Sequence, residues 1–411
     1  MLYARPTFVL VPMVVMAQAV SSIFMVVMLL CVIMVAVVDL FIPSLPAMTI
    51  QLNTSTDWIQ WTISLYVLGY SLSHFFYGPL SDRFGRRPIL LTGLAITLLG
   101  STVCVLASTI EWLLLGRILQ GLGFGAGGLL SRAILRDTYT DATLARYSSY
   151  CGIVISITIG IAPVVGGVLE EWLSWRASFI TLLALVLFVF VYTYFKLPET
   201  NSTLNVHALR WASVMSNYRI LLTHKIFWGY TLCASLAFSG IIAYITTIPF
   251  LMINIIGLSP AQFGLLAILI AAAQTIGFTL NARFIEQLGI QAAIQIGFGL
   301  MFLGSILLLV VSLSGWLTVW SIMLPVTLYV IGTGLIYSNT FAGAFTPFPD
   351  IVGSVSALYG GLQFAIAALV SMLVSILSIV SAGVIAIVFL TMTLLASLFF
   401  YTLLYSTHSQ S

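Results

Sequence analysis

Two ionisable residues stand alone in long apolar runs. Arg117 lies in Leu115-Gly-Arg117-Ile-Leu-Gln120-Gly121-Leu-Gly123-Phe-Gly125, and Asp39 in Asp39-Leu-Phe-Ile-Pro43-Ser-Leu-Pro46. A charge set in hydrocarbon costs about 2.5–3.5 kcal/mol on insertion scales, so such residues are functional candidates by default. The proton affinity of a carboxyl group follows its surroundings, burial and neighbouring cations acting in opposite senses. An aspartate whose surroundings alternate can therefore load and release a proton. Asp39 is thus a candidate for carrying a proton, and Arg117 for a charge that faces a central cavity. The structural alternatives are an Asp39 that caps or orients the first helix near its outer end, and an Arg117 paired within a helix bundle or snorkelling to the interface.

Two further groups have a spacing that asks for explanation. Gly78-Pro-Leu-Ser-Asp82-Arg83-Phe-Gly85-Arg86-Arg87-Pro88 joins a tight-turn glycine to an acid and three arginines. Gly78 and Gly85 permit close approach and a sharp turn, and Asp82 can act on a helix terminus. A bland basic turn would account for the arginines but not for their order with the glycines and the acid. Gly152, Gly160, Pro163, Gly166 and Gly167 place small residues and one bend along a single apolar segment, the composition of close helix packing in a membrane.

The elements that must carry these residues follow from composition. The chain has 411 residues, of which 6% are charged and 61% hydrophobic, with a mean hydropathy of +1.16. Soluble domains carry about 25% charge. So few charges cannot cover a soluble surface, which excludes a soluble enzyme, a nucleic-acid binder and a disordered chain. A helical span needs about 20 apolar residues. Runs near 23–47, 57–79, 88–108, 112–135, 145–168, 175–195, 226–252, 261–281, 291–312, 316–340, 353–378 and 382–405 meet that need. The expected class is an all-α polytopic membrane protein with twelve transmembrane helices. Cys31, Cys104, Cys151 and Cys233 all sit in apolar runs without a CxxC pair, so they read as packing residues.

Basic residues orient the chain. With both termini inside, Arg5, Arg83, Arg86, Arg87, Arg132, Arg136, Arg146, Lys196, Arg210, Arg219, Lys225 and Arg283 all fall in cytoplasmic segments, and these are 12 of the 14 Lys and Arg. The positive-inside rule supports that count and that direction. The polar stretch 196–225 divides the chain into two six-helix bundles, 23–195 and 226–405, with a tail at 406–411. Leu80-Ser-Asp-Arg83-Phe84 is echoed by Leu280-Asn-Ala-Arg283-Phe284 at equivalent places in the two halves, as in transporters built from repeats. Residues 7–38 are too long for one span, and 1–22 are expected to form an interfacial or poorly ordered extension.

The loop from Gly78 to Pro88 resembles the signature between spans two and three of the major facilitator superfamily. The resemblance implies the major facilitator fold, two pseudo-symmetric six-helix bundles, and a conformational latch in which Gly78, Asp82, Gly85, Arg86 and Arg87 hold the cytoplasmic side closed when the outer side is open. Arg117-Ile-Leu-Gln120-Gly121 is similar to the family's span-four motif, associated with proton coupling. The glycine pattern from Gly152 to Gly167 is similar to the motif of exporters, with Ala162-Pro163 where Gly-Pro is usual. Asp39 to Pro46, Tyr66-Val-Leu-Gly-Tyr70 and Trp172-Leu-Ser-Trp175-Arg176 resemble the bicyclomycin/chloramphenicol-resistance branch of drug:proton antiporters.

That resemblance implies an inner-membrane exporter that moves drugs or other small apolar or amphipathic molecules against a proton flow, acts as a monomer and needs no cofactor. A dedicated exporter of one metabolite, such as a siderophore, shares the fold and the energetics. A membrane enzyme or a non-transporting sensor is the remaining class, but no Gly-x-Ser-x-Gly, His-Glu-x-x-His or Walker-type sequence is present. Tyr66, Tyr70, Gln120, Tyr244, Gln274 and Gln363 are the expected cavity residues. Asn254, Asn281 and Asn339 are further polar positions in or near spans, and His74 reads as a packing histidine. The scarcity of charge inside the spans points to apolar or weakly cationic cargo.

Overall fold

The computed structural model describes residues 10–202, 204, 211–377 and 380–405. The proposed tail 406–411, the first nine residues and Arg210 lie outside the described residues.

Every long element is helical: α1 Leu10–Asp39, α2 Leu45–Gln51, α3 Thr56–Phe84, α4 Arg86–Leu106, α5 Ile110–Thr138, α6 Asp141–Trp172, α7 Trp175–Lys196, α8 Trp211–Thr223, α9 Lys225–Pro249, α10 Pro260–Ser314, α11 Val319–Phe345, α12 Val352–Ile376 and α13 Ala382–Phe400. Ten segments among the described residues are long and apolar enough to cross a membrane. One of them, α10, has 55 residues and is two crossings joined at Gly289, whose φ of 75° breaks the helix. The 29-residue α3 is the most polar long crossing, and it is buried between α5 and α12. Counting α1 with α2 as one broken crossing, α3 and both parts of α10 gives twelve.

The first crossing is interrupted for a local reason. Proline has no N–H and its ring clashes with the carbonyl four residues earlier, and Pro43 stands four residues after Asp39. Helix α1 accordingly ends at Asp39, a short turn covers Ile42–Ser44, and α2 resumes at Leu45. At its other end α1 begins at Leu10 and runs unbroken past residue 22, where a separate extension was expected.

The helices pack within each half through small residues. Gly121 lies so close to α3 that an added Cβ would overlap the Tyr66 carbonyl, and Gly332 meets the Gly297 carbonyl in the same way. Such approach suits association in lipid, where packing and not the hydrophobic effect drives helices together. The halves meet along two main seams, α3 with α12 and α6 with α10. On the first seam the Ser64 and Ser371 hydroxyls are 2.7 Å apart and Ser71 donates to the Gly361 carbonyl at 2.7 Å. Both copies of the sequence echo fall near the end of the second crossing of a half, in α3 and in the first part of α10.

Candidate functional site: two knots of charge and a seam that opens at one end

Arg117 is fully buried. Its Nε donates to the Thr62 carbonyl at 3.0 Å, and its Nη1 donates to the Val37 carbonyl at 2.9 Å and to Gln120 Oε1 at 2.6 Å. Val37 sits in the last turn of α1, where carbonyls lack helical partners. The Pro43 break thus frees an oxygen that the guanidinium takes, at the end of a helix that favours a cation. The rings of Phe41 and Tyr66 flank the same guanidinium, with centroids 4.4 and 4.6 Å from Cζ. Gln120 passes the network on to Ser101 Oγ at 2.9 Å. Nη2 is left without a partner.

Asp39 is half-buried at the C-terminal end of α1, where the helix dipole gives a carboxylate no support. It forms no hydrogen bond or ion pair with the described side chains, and none with Arg117. Phe41, two residues further along the chain, covers Arg117. The two ionisable groups are thus neighbours in the fold without pairing.

Lower on α3, Tyr70, His74 and Phe364 of α12 form an aromatic cluster across the two halves. Tyr70 lies edge-on to Phe364 with centroids 4.7 Å apart, and Phe238 of α9 meets the far side of Phe364 at 5.1 Å. His74 Nδ1 is 2.9 Å from the Tyr70 carbonyl, so the buried ring is anchored to its own helix. Of the other expected cavity residues, Gln274 and Gln363 are half-buried with no hydrogen-bond partner. Gln120 is sealed inside the first half by Arg117 and Ser101, and Tyr244 is buried in the second half with its hydroxyl 3.7 Å from Met323 Sδ. Asn339 donates to Asn281 Oδ1 at 2.6 Å, joining α11 to α10.

At the end of the bundle rich in arginine, Gly85 adopts a φ of 97°, reserved in practice for glycine, and turns the chain from α3 into α4. Arg86 then reaches back to Asp82 at 2.5 Å and across to Asp137 of α5 at 2.8 Å, and donates to Ser81 Oγ at 2.7 Å. The backbone N–H groups of Arg86 and Arg87 donate to the two oxygens of Glu199, at 2.8 and 3.1 Å. Glu199 therefore caps α4 from beyond the end of α7, and a side chain at Gly85 would collide with it. Arg87 donates from Nη2 to the Tyr194 carbonyl at 2.7 Å. Gly78 faces Leu129 with room to spare. Sequence reading missed Asp137 and Glu199. Glu199 is the only acid in 196–225 and follows Pro198, a signal that was available.

The seam between α6 and α10 is wedge-shaped. Far from the arginines, a Cβ at Gly167 would overlap the Pro260 carbonyl, and Gly264 is pressed against the Pro163 carbonyl, while Gly166 meets the Leu40 carbonyl within the first half. Gly160 lies 3.4 Å, by the same measure, from the Ala271 methyl; around Gly152 nothing comes within 4 Å. Along α6 the contact with α10 is thus closest far from the arginines and has no counterpart at Gly152. Three of the five residues of the glycine-proline set, Gly160, Pro163 and Gly167, form this contact; Gly166 packs on Leu40 within the first half, and Gly152 meets nothing within 4 Å.

Residues 24–372 match the family described as Major Facilitator Superfamily. The chain belongs to that superfamily: it is a multi-pass membrane transporter of small molecules and not an enzyme. It is 32% identical over 328 residues to Multidrug resistance protein D of Escherichia coli, covering 79% of this chain and 81% of that protein. It is 28% identical over 338 residues to a bicyclomycin resistance protein homolog of Haemophilus influenzae, covering 82% and 85%. To a chloramphenicol resistance protein of Pseudomonas aeruginosa it is 29% identical over 322 residues, covering 78% and 76%. Among solved structures, the xylose transporter XylE from E. coli in a partially occluded inward-open conformation shares the fold with a TM-score of 0.72 at 14% identity, covering 94% of this chain and 98% of that one.

Proposed function

We propose that this protein exports drug-like amphipathic molecules across the inner membrane in exchange for protons, by alternating access, as a monomer with both termini in the cytoplasm. The observation that carries the reading is the α6–α10 wedge, closed at Gly167 and Gly264 and without contact at Gly152. Arg83, Arg86, Arg87, Arg136, Arg146, Lys196, Lys225 and Arg283 cluster at the Gly152 end, which the positive-inside rule assigns to the cytoplasm. The wedge then has the shape of an inward-open state. The drug-resistance names of the relatives support drugs as cargo.

In this reading Asp39 takes the proton and Arg117 holds the surroundings that make its proton affinity depend on conformation. A proton moving down 100 mV supplies about 2.3 kcal/mol, and coupling requires protonation and cargo to bias the same two-state equilibrium in opposite directions. Asp82, Arg86, Arg87, Gly85 and Glu199 form a rigid block that moves with the first half, and Gly78 allows α3 to shift against α5. The cavity lies between Tyr70, Gln274, Gln363 and Phe364.

The test is transport by purified protein in liposomes with an imposed pH step, with chloramphenicol and bicyclomycin as cargo. Proton-driven movement of either drug that ceases in Asp39→Asn is the expected result. No movement of either by the wild type, in vesicles shown to hold the pH step, contradicts it.

A further inference from the structure

Arg132 stands six residues before the end of α5 at Thr138, about 9 Å inside the helix terminus. Its position in sequence suggested one more cytoplasmic basic residue. Its surroundings say otherwise. The guanidinium carbon lies 5.6 Å from the ring centroid of Phe341, on α11 of the opposite half. Phe341 in turn lies 6.0 Å from the Tyr359 ring of α12, and Gly128, one turn earlier on α5, abuts the Tyr70 ring of α3. Helices of both halves thus surround it, and a residue so placed faces the space between the halves and not the lipid. It is nevertheless exposed.

Nothing described in the structure neutralises this charge. Asp82 and Asp137 are both taken by Arg86, Glu199 accepts from the Arg86 and Arg87 backbone, and neither Glu286 nor Asp350 forms an ion pair with Arg132. Asp39 stands two residues after Val37, whose carbonyl holds Arg117. Arg117 is about 22 Å away along α5, and its donors are spent on backbone carbonyls and Gln120. An arginine is always charged and presents a planar set of donors that matches a carboxylate. On one side lies the aromatic cluster of Tyr70, His74 and Phe364, and on the other the Phe341 ring, which packs on Phe345 and Tyr359. Tyr70 is held over Gly128, one turn of α5 before Arg132, where a side chain larger than glycine would collide with its hydroxyl.

We propose that Arg132 is the charge-selecting residue of the inward-open cavity, and that the preferred cargo is an aromatic or alicyclic body carrying one anionic group. The anion docks on the guanidinium and the apolar body lies on the Tyr70–Phe364 platform. This reverses the expectation of weakly cationic cargo, which followed from counting charges in the spans without knowing which were already paired. Arg86, Arg87 and Arg117 are engaged; Arg132 is not. The proposal rests on the export reading for its use of the word cargo, but its binding chemistry stands apart from transport.

The experiment uses one fluorophore in two charge forms, dansylglycine, an anion, and dansylethylenediamine, a cation, titrated into the purified full-length protein in detergent at neutral pH. The wild type is expected to bind the anion about tenfold more tightly. Arg132→Gln is expected to erase that preference, and Arg132→Lys, which keeps the charge without the planar fork, to retain part of it. A thermal melt of each variant separates lost selectivity from lost structure. Equal or tighter binding of the cation by the wild type overturns the proposal, as does an anion preference that survives in a folded Arg132→Gln. Moving the same samples into liposomes with a pH step separates the two readings. Anion-selective binding without proton-driven movement of dansylglycine upholds the Arg132 assignment and defeats the export reading. Proton-driven movement of both probes alike upholds export and defeats the Arg132 assignment.

Discussion

Glu171, near the last residue of α6, accepts a hydrogen bond from Ser259 Oγ at 2.9 Å and another from the backbone N–H of Ala261 at 3.3 Å. Ser259 is also the N-cap of α10, in a capping box with Gln262. A carboxylate of the first half therefore sits on the N-terminal turn of a helix of the second half, where a negative charge is favoured. The contact lies beside Gly167 and Gly264, at the shut end of the wedge, and joins the halves while that end is closed.

Replacing Glu171 with Ala is expected to shift the population toward the state open at this end. Hydrogen bonds to a charged group contribute about 1.5–3 kcal/mol when buried and less at an exposed site such as this. A three- to tenfold shift, about 0.7–1.4 kcal/mol, is the expected size. Spin-label distances between positions 172 and 255, both exposed, measure it; an unchanged distribution would show that the glycine contacts alone hold the seam.

A Gly167→Val protein is expected to insert and melt like the wild type but to fail in transport. The added side chain would collide with the Pro260 backbone, which cannot move aside as a flexible side chain can. The halves could then not shut at that end. Transport assays paired with thermal melts check this, and full transport by the variant would rule out the tight α6–α10 contact.

Arg117→Ala is expected to be costly for stability as well as for transport. It strips partners from the Val37 and Thr62 carbonyls and from Gln120 in a fully buried site, a loss of about 2–4 kcal/mol. Arg117→Lys should recover only part of it, since an ammonium cannot reach three divergent acceptors with the planar fork. Thermal unfolding in detergent is the measurement, with the order wild type, Lys, Ala.

Glu199→Gln should loosen the start of the 196–225 segment by about 1 kcal/mol, because the two N–H groups of Arg86 and Arg87 lose a charged acceptor at a helix N-terminus. Limited proteolysis within that segment is expected to speed up several-fold, with no change in proteolysis elsewhere.

The crossings were legible because lipid demands long apolar helices and because arginine marks one side. The Gly85 turn was legible from its place between charged groups, whereas residues 23–47 read as one unbroken span and the break at Asp39, which Pro43 explains, was not anticipated. Other features were not legible either. Glu171 and Ser259 are 88 positions apart, Arg86 and Glu199 113, and no local pattern announces such pairs. Gln120 and Tyr244 were expected in the cavity but lie inside their own halves. Helices buried on most sides lack the apolar stripe that would tell inward from outward. Asp39 and Arg117 stand out in sequence as ionisable residues in apolar runs, but that Phe41, two residues after Asp39, covers Arg117 with no Asp39–Arg117 ion pair is a matter of three-dimensional arrangement.

The central claim is that the two halves rock, closing one end as the other opens. Two label pairs in the same preparation test it most directly: positions 149 and 286 at the parted end, both exposed, and positions 172 and 255 at the shut end. When pH is stepped, a fraction of molecules is expected to show a shorter 149–286 distance together with a longer 172–255 distance, in equal proportion. Distances that stay single at every pH, or that lengthen and shorten together at both ends, would contradict the account.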